Sequence, residues 1–247
     1  RYASRGLGDV YKRQLFMLFL FFFLIISIIP VVWINFIFKQ NDKILPNMPF
    51  NGYELGDQLI KEYNLKDVRL EKTLIGDHYD LEKKKVKVHE DRLRRKSLTS
   101  ISIVCHEIGH AIQHAEGYSP LTTRTKLVKN TQWINKISTL IIFTGLPVIF
   151  ATVSIHLIKL CAVIILLSMF IGLFIHLVTL EVELDASFNK AFPILKRKVP
   201  EVYHDSCYTI LRAAAFTYVI GVFKNVISLR MIWSCLLYTS DAADDRS

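Results

Sequence analysis

His106-Glu107-Ile108-Gly109-His110 lies inside an apolar run that reads as one helix from Ser97 to Glu116. Two histidines four apart on a helix share a face, because four steps of about 100° come almost full circle. Their ring nitrogens can grip one metal ion. Glu107, one step along, is placed to reach a water on that metal rather than to ligate it, which is the layout of a zinc peptidase. Ser97, Thr99 or Ser100 would cap the start, while Gly117 and Pro120 are stop signals at its end. Ile101, Val104, Cys105, Ile108, Ala111 and Ile112 give a broad apolar face. Gly109 costs a mid-helix position about 1 kcal/mol against Ala, so close approach of another backbone explains it better than helix stability does.

Working outward, the chain is 247 residues with 51% hydrophobic residues and a net charge of +9. Residues 1–14 and 235–247 read as non-native sequence derived from sequencing adapters, and are set aside from fold reasoning. The stretch 15–38 is uncharged and dense in Phe, Leu and Ile, long enough for a transmembrane helix. Two more apolar runs, Ile137–Leu157 and Leu160–Leu180, are parted only by Ile158 and Lys159, so 137–180 is expected to form a tight transmembrane hairpin. Pro147 would kink its first arm, and His156 and His176 fall near opposite ends, where interfacial placement is the ordinary use. Residues 206–234 read as a fourth transmembrane helix or an amphipathic one, because Arg212, Lys224 and Arg230 interrupt the apolar run. The expectation is a mainly α, integral membrane protein with three to four transmembrane helices.

Residues 39–136 form the polar part. Pro46, Pro49 and Gly52 mark a linker, Gly56–Asn64 reads as a short helix, and alternation at Val68/Leu70 and Val86/Val88 predicts two strands joined through Gly76-Asp77-His78-Tyr79-Asp80. With the metal helix at 97–116 this is enough for a small α+β unit. Arg124, Lys126, Lys129 and Lys136 precede the hairpin, and Lys190, Lys196, Arg197 and Lys198 follow it. The positive-inside rule therefore puts the metal helix in the cytoplasm. Cys105, Cys161 and Cys207 fit a reducing compartment without a disulfide framework. Cys105 points about 100° away from His106 and reads as a packed thiol. Basic clusters at Lys83-Lys84-Lys85 and Arg92–Lys96 suit anionic lipid head groups rather than nucleic acid.

A catalytic zinc needs a third protein ligand and an open position. Leu180-Glu181-Val182-Glu183-Leu184-Asp185-Ala186-Ser187, just beyond the hairpin, should begin a short helix running to about Lys190, and 181–205 supply this helix and a basic segment. Here the chain resembles a family. His106-Glu-Ile-Gly-His-Ala-Ile-Gln-His114, Asp77-His-Tyr-Asp80, Glu116-Gly-Tyr-Ser-Pro-Leu121 and Val182-Glu-Leu-Asp-Ala-Ser187 resemble the bacterial membrane-bound neutral zinc metallopeptidases of the YugP type over nearly all of 15–234. That group is similar in turn to the gluzincins, whose third ligand is a glutamate on a later helix. The resemblance implies a zincin-like cytoplasmic catalytic part and a bacterial inner (plasma) membrane location.

In the gluzincin pattern, Glu-x-x-Ala-Asp, alanine follows the ligand by three. Glu183 keeps that alanine at Ala186 but has Ser187 in place of the aspartate. Glu181 has Asp185 four residues on, with Leu184 where the alanine should be. Glu183 is preferred and Glu181 remains the competitor. Ser187 could hydrogen-bond a ligand without bringing charge, and Asp185 could orient a histidine. His114 continues the stripe, but about 12 Å from His106 it cannot share the metal. His78 or Tyr79 could donate to an oxyanion, or belong to a turn held by aspartates.

The expected mechanism is peptide hydrolysis with one zinc on His106, His110 and Glu183, Glu107 as general base, and the strand Val86–His89 pairing with an extended substrate. Substrates would be unfolded or membrane-proximal polypeptides. Two rivals are a non-catalytic zinc-binding membrane scaffold or chaperone-like protein, and a transporter. The first leaves Glu107 without a reason to stand between two ligands, and the second has hardly any ionisable groups in its spans.

Overall fold

In a computed structural model of the chain, the described residues are 28–140 and 155–222, with the isolated helical positions 14, 17, 18, 21, 22 and 25. Among the described residues the molecule is mostly helical with a small sheet. Helix α1 covers Ile28–Gln40. Helix α2, Gly52–Glu62, opens on a capping box: Asn51 accepts from the Glu54 backbone N–H at 2.9 Å, and Glu54 accepts from that of Asn51 at 2.8 Å. This reciprocal cap starts the helix four residues before the expected Gly56, and Gly52 belongs to it rather than to a linker. A Cβ on Gly52 would stand 2.6 Å from the Arg92 carbonyl, so the glycine lets the next segment pass close by.

Three strands follow, where the alternation pattern marked two. They are β1 (Arg69–Thr73), β2 (His78–Asp80) and β3 (Lys85–His89). The added β2 falls in the expected connection and is too short to show a period. The order is β1-β3-β2, with β1 parallel and β2 antiparallel to β3. Val86 sits between Leu70 and Tyr79, and Val86 and Val88 are fully buried. Because β3 has a neighbour on each side, it cannot pair with a substrate as expected; the strand next to the metal helix with an open side is β2.

The short helix α3 (Glu90–Arg94) leads into α4 (Leu98–Ala115), with Ser97 as N-cap accepting from Ser100 N–H. Gly117, at φ +69°, ends it in the left-handed region. Nearly every residue of α4 is buried, so it is the central element, with α2 and the sheet packed around it. Its start is tied to the end of α1: Thr99 Oγ1 donates to the Phe38 carbonyl at 2.8 Å, and Ser97 Oγ to Asp42 at 2.7 Å.

Helix α5 runs from Ser119 to Leu140. Pro120 therefore stops α4 by starting the next helix, where its missing N–H costs nothing. Helix α6 spans Ile155–Leu184, continues through a π-helical segment Asp185–Ala191, and passes into α7, Phe192–Lys198. Two expectations change here. Ile158 and Lys159 lie inside α6 instead of forming the hairpin turn, because two residues without Gly or Pro do not break a helix. The carboxylate segment is also no separate helix, but the continuation of the apolar one. Helices α5 and α6 pack together; residues 141–154, which hold most of the first hairpin arm and Pro147, lie outside the described residues. After a short turn at Glu201–Tyr203, α8 runs over 204–222.

Among the described residues one helix, Val163–Lys198, is long and apolar enough to cross a bilayer, and the described part of α1 is apolar but shorter. Leu160, Val163, Leu167, Phe170, Phe174 and Leu177 make an exposed apolar stripe along α6.

Candidate metal centre

Gly109 explains how two distant segments meet. A Cβ at this position would lie 2.8 Å from the Ala186 carbonyl and 3.3 Å from Lys190 Cβ, so α4 crosses the π-helical segment backbone to backbone. That crossing puts Glu183, one turn before Ala186, opposite the two histidines flanking Gly109. A π segment at such a crossing is in keeping with its usual placement at functional sites.

The three side chains converge. His106 Nε2 lies 3.1 Å and His110 Nε2 3.5 Å from the same Glu183 oxygen, Oε2. One donor atom from each lies within 4.8 Å of the others. Glu183 and His110 are buried and His106 is half-buried. Burial alone would raise the Glu183 pKa, but hydrogen bonds and charge from His106 and His110 outweigh it and hold the carboxyl below the usual range. Glu181, two residues back and so about 200° round the helix, is exposed and meets the Tyr118 hydroxyl at 3.3 Å.

Whether this set suits zinc is tested by what stands behind the imidazoles. His110 Nδ1 lies 3.0 Å from Gln113 Oε1. The Gln113 amide nitrogen faces two acceptors, the Val182 carbonyl at 2.9 Å and Asp185 Oδ2 at 2.8 Å. Only a donating NH₂ satisfies both, so Oε1 is the atom turned to His110, and His110 Nδ1 must carry a proton. With Nδ1 engaged by Gln113, Nε2 is the ring atom turned to Glu183 and the one free to serve a metal once its proton is displaced. Ser187 Oγ stands behind the other ring, 3.1 Å from His106 Nδ1. Two back-bonded imidazoles and one ionised carboxylate form the donor set of a His₂Glu zinc site, so the residues fit the metal. Asp185 orients His110 through Gln113, not by direct contact.

Two further residues stand beside Glu183. Arg124 on α5 places Nη1 3.3 Å from its other oxygen, Oε1, and Tyr218 on α8 lines the same cavity as Glu183. Glu107, 6% exposed, lines that cavity, of about 270 Å³, together with His106, Glu183, Asp77 and Tyr218. Asp77 accepts from His89 N–H at 2.8 Å and pairs with Arg92. On the β2 side a second groove, of about 460 Å³, runs between Tyr79–Glu82 and Arg124–Gln132 of α5.

Other motif residues fall elsewhere. The Tyr79 hydroxyl and His114 Nδ1 are 2.8 Å apart, so each is engaged by the other, and His78 Nδ1 bonds to the Gly76 carbonyl at 2.9 Å. Burial pushes the Tyr79 phenol up to about 12. Cys105 is fully buried with its thiol pKa pushed up, first by burial and then by Cys207, and is inert packing. Arg124 and Tyr218 were not legible as site residues: one looked like a membrane-flanking cation and the other part of an apolar run. Gln113 carried a usable signal, being three residues after His110 and so on the same face.

The family model described as "Putative neutral zinc metallopeptidase" matches residues 16–237. The chain is 29% identical over 218 residues to "Putative membrane protease YugP" of Bacillus subtilis (strain 168), covering 85% of this chain and 93% of that protein. No solved structure matches.

Proposed function

Since the chain belongs to the neutral zinc metallopeptidase family, an enzyme family whose cofactor is zinc, we propose that it is a membrane-bound endopeptidase with one zinc ion on His106, His110 and Glu183 and with Glu107 as general base. The observation that carries this reading is the convergence of three donor atoms within 4.8 Å, with Glu107 in the adjoining cavity. Bound there, zinc supplies Lewis acidity toward a scissile carbonyl and makes water a stronger acid. Glu107 accepts the proton of the attacking water and passes it to the leaving amine. Arg124 holds Glu183 by Oε1 while the histidines face Oε2, which keeps Oε2 turned to the metal position. The substrate backbone would lie along β2 in the groove facing α5, replacing β3 as the pairing strand.

We place the site at the cytoplasmic membrane surface of a multi-pass protein with three to four spans and a gluzincin-like catalytic part. The apolar stretch Leu160–Leu180 rises about 30 Å, the thickness of the hydrocarbon core. Glu183 then stands about one turn beyond the bilayer edge. Basic residues on both sides of the hairpin support the cytoplasmic orientation. The test pairs zinc stoichiometry with cleavage of an unfolded protein. Glu107→Gln should keep about one zinc per chain and lose cleavage, and equal cleavage by both proteins would overturn the reading.

A further inference from the structure

The cavity beside Glu107 has two unlike walls. One carries His106, Glu107 and Glu183. The other is mainly apolar, with Ile34 and Phe38 from α1, Ile103 from α4, and Ile210, Leu211 and Ala214 from α8, and it ends in Thr217 and Tyr218 one turn further along α8. The apolar wall is built mainly by the two helices that flank the site. Trp33 of α1 and Phe216 of α8 hold these helices together edge to face, with ring centroids 5.4 Å apart. On its opposite face α1 exposes Ile28, Ile29, Val32 and Phe36. Asp77, also in the lining, is already taken by His89 N–H and Arg92 and offers no free charge to a guest.

We propose that this cavity is a specificity subsite taking one large apolar side chain, of the Phe or Leu class, from the substrate residue next to the scissile bond. The inference rests on the peptidase reading above and adds what that enzyme selects. Size admits such a guest: an apolar cavity of about 150 Å³ accepts benzene, and this one is about 270 Å³. Chemistry selects it, since a charged side chain seated against Ile34, Phe38, Ile210 and Leu211 would lose its hydration there. Continuity ties it to the reaction, because Glu107 lines the same space. Each methylene seated or missing in such a pocket changes kcat/KM by about 10–200-fold.

The test uses the zinc-loaded full chain in detergent and peptides that differ only at the two residues flanking one cleavable bond, set in turn to Phe, Leu, Ala, Lys or Asp. At one of the two positions kcat/KM for Phe or Leu should exceed that for Ala at least 30-fold, with Lys and Asp lowest. Ala214→Phe fills the cavity and should bring the Phe-to-Ala ratio to about 3 or less. Ala214→Val, a smaller change, should give an intermediate ratio. Each ratio is read within one preparation and so does not depend on how much of a variant folds. Glu107→Gln, binding without cutting, should hold the Phe peptide at least tenfold more tightly than the Ala peptide. Cleavage without preference at either position, or a ratio that neither Ala214 variant moves, overturns the subsite and leaves the peptidase reading standing. Failure to cleave any peptide removes both.

Discussion

Replacing Gly109 by Ala sets two physical effects against each other, and the structure says which wins. Helix propensity alone favours the change by about 1 kcal/mol, since Gly is poor in a helix interior. The new Cβ, however, would stand 2.8 Å from the Ala186 carbonyl, where ordinary contact begins at 3.4 Å, and 3.3 Å from Lys190 Cβ. The obstruction is backbone, so α4 and the π-helical segment must part by roughly 0.6 Å, and overpacking of this kind costs about 1–3 kcal/mol. The net expectation is a loss of about 0–2 kcal/mol. The larger consequence falls on the metal, because the same crossing sets the distance from His106 and His110 to Glu183. Coordination tolerates only about 0.2 Å per ligand, so zinc affinity should fall by about 10–100-fold. Thermal unfolding without metal and competition with a chromogenic zinc chelator measure the two effects separately. A higher Tm together with zinc affinity within twofold of the parent would refute the crossing argument.

Other outcomes follow from the same contacts. Glu183→Ala should remove measurable zinc binding while Glu181→Ala, at an exposed position, leaves stoichiometry near one; metal analysis of both decides between the two glutamates. Gln113→Leu deprives the His110 Nδ1 proton of its acceptor and should weaken zinc about 10–100-fold in the same competition assay. Tyr79→Phe breaks its bond to His114 and should cost about 1 kcal/mol in denaturant titration with zinc affinity unchanged. Removing zinc with a chelator should lower stability by about 2.7 kcal/mol relative to protein held at 100 times Kd, read as a fall in Tm.

How much of this was legible depends on the range of the interaction involved. The metal helix was readable with both ends because caps, stop signals and four-residue spacing are local. Gly109 was readable in kind, as a close approach, but not in partner. The turn at Ile158–Lys159 was misread because a gap in hydropathy is not a gap in helix: the backbone continues, and the change concerns only what surrounds it. The strand β2 was missed because three residues hold too little alternation to stand out, although its pairing with β3 decides which strand edge is open. Tyr218 entered the site from a segment whose composition spoke only of membrane or amphipathic helix, and Arg124 from one that spoke only of charge.

By itself, then, the sequence determined the donor types, their spacing along α4 and the apolar stretches, since each is fixed by helical periodicity over a few turns. The tertiary structure decided which glutamate faces those histidines, that Gln113 and Ser187 stand behind their rings, and that α1 and α8 wall the cavity beside Glu107. Those facts depend on where one backbone crosses another. Only packing sets that position: a contact between residues 77 apart, as for His106 and Glu183, leaves no period in the chain to read.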